Sequence, residues 1–229
     1  PQGIFTEKTP SSGSALVNLD GGLYFERSTE IAGRGLLQTL EPRAYYLYSE
    51  FDEQTDQPDF DSAELTFSYN QLFRETRFSG RDRLDDANQL SLGLTSRFIS
   101  EDTGREQFSA SIGQIFYFED REVRLSPIAP PLDQSGSELA GELTWDPNER
   151  ISTWLNFDYN HDDNSRDRSG DAFGVAVAGR SAWTERIGTA LRLEYVADDR
   201  ELFGLGGDSK LWSITATTDY SVTDHLIIK

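Results

Sequence analysis

The side chains with the clearest capacity for chemistry lie between Tyr69 and Gln89, in the stretch YNQLFRETRFSGRDRLDDANQ. Arg74, Arg77, Arg81 and Arg83 are interleaved there with Glu75, Asp82, Asp85 and Asp86. A planar guanidinium grips a carboxylate or a phosphate through paired hydrogen bonds. Such a set can therefore fold the segment on itself through internal ion pairs, or present its arginines to an anionic ligand. The near balance of the two signs favours a charge-laced lid. The other titratable residues give weaker signals. His161 and His225 are the two histidines, both beside expected turns, and neither has a partner at a spacing suited to proton transfer. The run His161 to Asp171, HDDNSRDRSGD, gathers carboxylates as a calcium loop does. It lacks the D-x-D-x-D-G order and the closing bidentate Glu, and reads as a solvated loop without a metal. Asp198, Asp199, Gly204, Gly206 and Gly207 follow no phosphate-binding βαβ pattern. With no Cys there is neither a thiolate nor a disulfide. No constellation in the chain supports catalysis, so it is read as a non-enzyme without cofactor or metal.

The elements that must position the charged stretch are strands. Before it, Ala63 to Tyr69 places Leu65, Phe67 and Tyr69 on one side and Thr66 and Ser68 on the other. After it, Leu90, Leu92 and Leu94 alternate with Ser91, Gly93 and Thr95. Further strands are expected over Ser14 to Arg27, kinked at Gly21 and Gly22, and over Leu36 to Glu50 despite Pro42, which removes a ladder donor. Others follow at Gln89 to Ile99, Gln107 to Phe118, Glu138 to Trp145, Ile151 to Asn160, Ala172 to Trp183, Ile187 to Val196, Leu211 to Tyr220 and His225 to Lys229. Residues 1–13, rich in Pro, Ser and Gly, read as a flexible lead-in. Short and long connections alternate throughout.

Composition fixes the setting. The formal charge of -19 and the pI near 4.4 argue against nucleic acid as a partner, because a surface that binds its phosphate backbone needs clustered Lys and Arg. A mean hydropathy of -0.56 would ordinarily mean a water-soluble protein. Transmembrane barrels escape that inference, because only every second strand residue faces lipid. No run of about 18 apolar residues exists, so no transmembrane helix is expected. The chain starts at Pro1 without a visible signal peptide, and is read as mature, trimmed or engineered.

Short turns on one side, long loops on the other and alternating strands between them give the fold class: an all-β, antiparallel transmembrane β-barrel of outer-membrane type, with about 10–12 strands. In that frame Leu155, Phe157 and Tyr159 face lipid while Asn156, Asp158 and Asn160 face the lumen; Leu191, Leu193 and Tyr195 face lipid while Arg192 and Glu194 face inward. Glu142 and Asp219 join the inward charges, and an open lumen with this acidic excess would prefer cations. Tyr45, Tyr46, Tyr48, Phe116, Tyr117, Phe118, Trp145, Tyr159, Trp183, Tyr195, Trp212 and Tyr220 lie near expected strand ends and read as interfacial girdles.

Three segments carry a family resemblance: LYFERSTEIAGRGLLQTLEPRAYYLY (Leu23 to Tyr48), FDSAELTFSYNQLFRETRFSGRDRLDDANQLSLGLTSRF (Phe60 to Phe98) and SASIGQIFYFEDREVRLSP (Ser109 to Pro127). Their long, irregular pattern resembles the barrel of the LptD family of outer-membrane lipopolysaccharide-assembly proteins, over roughly residues 14–160 including the ELTWDPNER hairpin. The resemblance implies a barrel in the bacterial outer membrane that acts with a plug lipoprotein, LptE, and inserts lipopolysaccharide into the outer leaflet. It further implies lipid A phosphates as ligands for the arginines, and a lateral opening where Gly21, Gly22 and Pro42 weaken pairing. The chain departs from the family in having fewer strands, no jellyroll and no cysteines. Residues 161–229 resemble the hairpins of small porin-like barrels, and the end LIIK lacks a terminal aromatic. A fragment, hybrid or designed barrel is the resulting expectation. The alternative function is a stand-alone porin or engineered nanopore that conducts small solutes and prefers cations.

Overall fold

A computed structural model of the chain describes residues 11–65, 67–126, 131–162, 170–198, 209–223 and 226–228, the side chains of 160–162, 170, 223 and 226–228 excepted. Among the described residues eleven strands make one antiparallel system: β1 (Leu16–Gly22), β2 (Phe25–Ile31), β3 (Arg34–Ser49), β4 (Ala87–Ser100), β5 (Glu106–Tyr117), β6 (Leu139–Asn148), β7 (Ile151–Asp162), β8 (Gly170–Ala182), β9 (Ile187–Asp198), β10 (Ser209–Thr223) and β11 (Leu226–Ile228). Their order follows the sequence, from β1 through β3 to β11, with β2 also paired to β3. Among the described residues no pairing joins β1 to β11, so the sheet is open. Among the described residues no helix is long and apolar enough to cross a membrane.

The expected single strand over Ser14 to Arg27 is two. β1 pairs with the second half of β3, from Leu16 opposite Ser49 to Gly22 opposite Arg43, and β2 pairs with the first half, from Phe25 opposite Leu40 to Ile31 opposite Arg34. The break falls at Leu23 and Tyr24, opposite Glu41 and Pro42. Pro42 has no N–H to give to the ladder, and its carbonyl still accepts the Leu23 N–H at 3.0 Å. Gly21 and Gly22 themselves remain in register. Ala63 to Tyr69, expected as a strand, is not one. Glu64 makes an isolated bridge with Phe78, and Tyr69–Phe73 is a single 3-10 turn. The turn carries Leu72 to a completely buried place.

The chain divides into two compact units: residues 1–22, 43–93 and 113–137, and residues 23–42, 94–112 and 138–229. In the second unit the registers of β6 to β10 resolve two faces. One row runs Glu142, Asn156, Ala176, Glu194, Ser213 and the next Thr144, Trp154, Ala178, Arg192, Thr215. The opposite face carries Leu155, Val177, Leu193 and Ile214 in one row, with Ile214 71% exposed. A continuous surface of half-exposed Leu, Val, Ile and Trp is what hydrocarbon covers in an outer-membrane sheet.

The β2–β3 hairpin turns on Ala32 and Gly33, with φ of 52° and 76°. Two successive positive values make the primed turn that matches strand twist, in which Asn and Gly are the favoured residues. Ala32 pays the left-handed penalty of an L side chain. Replacing Ala32 by Asn should therefore raise unfolding stability by about 1 kcal/mol. Urea titration read by heat-modifiable gel mobility checks this, and an unchanged midpoint would mean that the turn is unstrained.

Candidate functional site

The first unit contains the site, and it begins with a turn that folds back. In Tyr69–Phe73 the sequence offers three apolar side chains within a polar loop, and all three dock onto the strands beside it. Leu72 is 0% exposed. Phe73 packs against the cluster of Tyr45, Leu47 and Ala87 and meets the Tyr45 ring edge-on at 6.5 Å. Tyr69 meets Phe73 at 5.7 Å. The docking needs two glycines. A Cβ at Gly93 would lie 2.6 Å from the Phe73 ring and 2.7 Å from the Tyr69 hydroxyl, and one at Gly113 would lie 2.5 Å from Leu72 Cδ1. Both glycines occupy positions that the alternation of β4 and β5 gives to the side of Ser91, Thr95 and Ser111, so the socket is cut into that side. Arg43 stacks over the Phe73 ring at 4.2 Å and pairs with Asp20 through Nε at 2.9 Å. Asn18 donates to Glu75 at 2.8 Å.

The stretch that leads out of the turn is clamped by charge. Arg77 Nη1 lies 2.9 Å from Asp85 Oδ1, and the Arg77 backbone N–H donates to Asp85 Oδ2 at 2.7 Å. The other guanidinium nitrogen reaches Asp86 at 3.5 Å and the Val123 carbonyl. Asp86 in turn accepts from the Glu122 and Val123 N–H groups at 2.5 and 3.0 Å. One Arg and two consecutive Asp thus tie the loop before β4 to the loop after β5. Arg83 is buried and donates to the carbonyls of Gln57, Pro58 and Asp82. Asp82 accepts from the Phe60 and Asp61 N–H groups at 2.7 and 3.0 Å, and these two bonds hold its carboxyl below the usual range.

The eight charged residues expected to act together therefore divide. Arg77, Asp85 and Asp86 form the clamp, Asp82 and Arg83 order residues 57–61, and Glu75 binds Asn18 of β1. Arg74 and Arg81 are exposed and make no ion pair among the described residues. Asn156, Asp158, Arg192 and Glu194 share the polar face of β7 and β9, where Arg192 bonds Glu194 and lies 5.9 Å from the Trp154 ring. The Asn160 side chain, His225 and residues 163–169 of the carboxylate-rich loop lie outside the described residues, as do 199–208 with Gly204, Gly206 and Gly207. Tyr45, expected in an interfacial girdle, is instead 4% exposed in the core beneath the turn. Its odd position puts it on the side of Leu47 and Ser49, while Tyr46 and Tyr48 face the other way.

Sequence reasoning did not single out Leu72, Leu47, Gly113 or the socket role of Gly93. The available signal was an apolar Leu-Phe pair stranded in a polar loop, together with glycines on one face of two neighbouring strands.

Burial pushes the Asp85 carboxyl up to about 6 from 3.8; the Arg77 guanidinium, its N–H and Arg121 pull the other way, and Asp86 adds to the rise. The folded loop therefore binds a proton more tightly than the unfolded one, and its stability rises as pH falls through 6 toward 4. Glu53 and Asp82 are lowered from ordinary values of 4.5 and 3.8, so what they contribute is lost only as pH falls below those values, beneath the interval from pH 7 to pH 5. With no native Cys, a fluorophore on Arg74→Cys reports the loop alone. Its urea midpoint should be higher at pH 5 than at pH 7, and Asp85→Asn should remove that difference. Arg77→Leu should cost the loop about 3–5 kcal/mol, since it strands two buried carboxylates, whereas Arg81→Leu should stay within about 0.5 kcal/mol. Equal effects of the two would refute the clamp.

Comparison with known proteins gives the site a lineage. Residues 2–183 match the family LptD: LPS transport system D, a match that runs from the start of the chain through β8. A relative from Ectopseudomonas mendocina, an LPS-assembly protein LptD, is 55% identical over 126 residues, which is 55% of this chain and 13% of that protein. One from Hahella chejuensis is 50% identical over 134 residues, 58% of this chain and 17% of the relative. One from Xanthomonas campestris pv. campestris is 41% identical over 168 residues, 70% of this chain and 21% of the relative. The chain thus spans about a fifth or less of the length of these relatives. With the family match covering both the amphipathic strands and the loop docked upon them, the chain belongs to the LptD family, LPS transport system D.

Proposed function

We propose that this chain forms part of the wall of an outer-membrane barrel that delivers lipopolysaccharide to the outer leaflet. The observation that carries the reading is the family match over residues 2–183, which takes in the turn, its socket and the Arg77 clamp as one folded unit. The relatives are called LPS-assembly proteins, and this reading gives the chain a wall with lipid outside and a polar path inside. The registers of β6 to β10 put Leu155, Val177, Leu193 and Ile214 on one face and Asn156, Asp158, Glu194 and Arg192 on the other; in this reading the first face meets lipid and the second the lumen. The partners in this reading are outer-membrane lipid, lipopolysaccharide and the plug lipoprotein LptE, and the location is the bacterial outer membrane. Gly21, Gly22 and Pro42 flank the interruption between β1 and β2, a place where strand pairing is weakest. Arg74 and Arg81, exposed and uncommitted, are the arginines left to meet lipid A phosphates. An open cation-preferring pore is the weaker alternative, because the loop before β4 folds onto the strands instead of leaving them bare.

The test is a chimera. Residues 14–183 replace the matching stretch of the Ectopseudomonas mendocina relative in cells depleted of their own copy. The chimera should restore lipopolysaccharide at the cell surface and bring LptE down on purification. A chimera that folds to a heat-modifiable barrel yet leaves lipopolysaccharide inside would overturn the reading, and a steady cation current from the purified chain without a partner would favour the pore.

A further inference from the structure

The face of the sheet that carries Leu155, Val177 and Leu193 is not evenly covered. Near the short turns a groove of about 470 Å³ runs across β7, β8, β9 and β10, a volume within the range of small-molecule sites. Its walls are two rows of side chains fixed by the strand registers. Thr153, Gly179, Leu191 and Ala216 form one, and Ile151, Ser181, Thr189 and Thr218 form the other. The row between them supplies the floor, and its Arg180 turns to the reverse face, where it pairs with Asp219 at 2.9 Å. Gly179 keeps the groove open: within 4 Å a Cβ there would meet Thr153 Cγ2 at 3.8 Å and the Ser152 carbonyl at 4.0 Å, so a side chain fits but would fill the space.

The wall nearer the turns is polar. Trp183 donates its indole N–H to Thr189 Oγ1 at 2.8 Å, which leaves the Thr189 hydroxyl hydrogen to give away. The Ser181 and Thr218 hydroxyls make no hydrogen bond among the described residues. Three hydroxyls in a row on a face that hydrocarbon covers call for an acceptor from outside the protein. Beyond them Trp183, Ile187 and Tyr220 follow on the same side, all exposed. The two turns at that edge hold Glu149 beside Arg150 and Glu185 beside Arg186, and these four exposed side chains make no ion pair among the described residues.

We propose that this groove seats one zwitterionic phospholipid of the turn-side leaflet, with the start of an acyl chain between the two rows, its ester carbonyls on the hydroxyls of Ser181, Thr189 and Thr218, and its headgroup on the Glu-Arg pairs of the turns. This rests on the outer-membrane reading above. Each turn places an anion beside a cation, so it complements a headgroup that carries a phosphate and an ammonium together. An anionic headgroup would leave the glutamates opposed to it, in a chain whose net charge is already -19. Lipopolysaccharide, with its several phosphates, is disfavoured on the same ground. Short turns also mark the periplasmic side of an outer-membrane barrel, where the leaflet is built of phospholipid.

The experiment uses the full chain, folded into detergent micelles that hold equal amounts of phosphatidylethanolamine and phosphatidylglycerol, with native mass spectrometry reading what stays bound. One phosphatidylethanolamine per chain should remain, favoured about tenfold or more over phosphatidylglycerol. Gly179→Leu, which fills the groove, should lower its retention about tenfold. Ser181→Ala with Thr218→Val, which keeps the walls and removes two donors, should lower it about threefold. Gly141→Leu, on the same face but outside the groove, is the control and should change nothing. Equal retention by Gly179→Leu and the unsubstituted chain overturns the site. So does a preference for phosphatidylglycerol or added lipopolysaccharide, or a dimer of the chain that excludes lipid. A chain with heat-modifiable mobility that holds no phospholipid overturns the groove and leaves the outer-membrane reading standing. A chain without that mobility counts against the outer-membrane reading and takes the groove with it.

Discussion

Everything in this chain depends on the pairing of backbone polar groups between neighbouring strands. In hydrocarbon an unpaired N–H or carbonyl costs several kcal/mol, so strands there must be satisfied sideways. That constraint dictates long ladders such as the twelve-residue register of β7 on β8 and the matching one of β10 on β9. It also explains why the interruption between β1 and β2 sits opposite Pro42, the residue that has no N–H to contribute. Once pairing fixes the registers, period-2 alternation assigns each side chain to a face. Asn156, Ala176 and Glu194 then fall in one row, with Leu155, Val177 and Leu193 on the reverse.

The same alternation makes the loop before β4 intelligible. A loop of this length in water would need its own core. This one borrows a core from the sheet, by placing Leu72 and Phe73 against Tyr45, Leu47 and Ala87. The borrowing is possible where positions under the turn carry no side chain, and Gly93 and Gly113 meet that condition on adjacent strands. The charges then serve position more than solvation. Arg77 and Asp86 fix where the chain re-enters β4, and the exposed Arg74 and Arg81 are the ones left over from that task.

The strand content, the alternation of short and long connections and the division of faces could be read directly from the sequence, because each depends on near neighbours. Leu90, Leu92 and Leu94 against Ser91, Gly93 and Thr95 is such a case, with Ser91 fully buried and Leu92 exposed as the pattern requires. What escaped was set by partners distant in sequence. Ala63 to Tyr69 has strand periodicity, but the residues that decide its fate are Tyr45 and Gly93, which no local pattern connects to it. Tyr45 read as interfacial for the same reason: its neighbours Tyr46 and Tyr48 face away from the core, and only its parity sets it apart. The charged stretch was recognised as a network, but which arginine pairs with which aspartate depended on the loop after β5. The Glu122 and Val123 N–H groups have no signature in the sequence.

The placement of charge also bears on why the clamp is built from Asp and Arg when an apolar contact would do. A well-packed apolar pair of similar volume would hold two loops at least as firmly as a buried ion pair. Its register is looser, however, since apolar surfaces slide where directional bonds do not. Asp86 accepts two consecutive N–H groups while its neighbour Asp85 meets both the guanidinium and the N–H of Arg77, so only one alignment of the loops satisfies all of these contacts. The first residue of β4 follows directly at Ala87, under the Phe73 ring. Fixing the clamp therefore fixes how far the turn reaches along β4 and β5, and hence that Leu72 meets Gly113 and Phe73 meets Gly93. The ion pair sets position, the glycine socket supplies the burial, and neither would place the turn without the other.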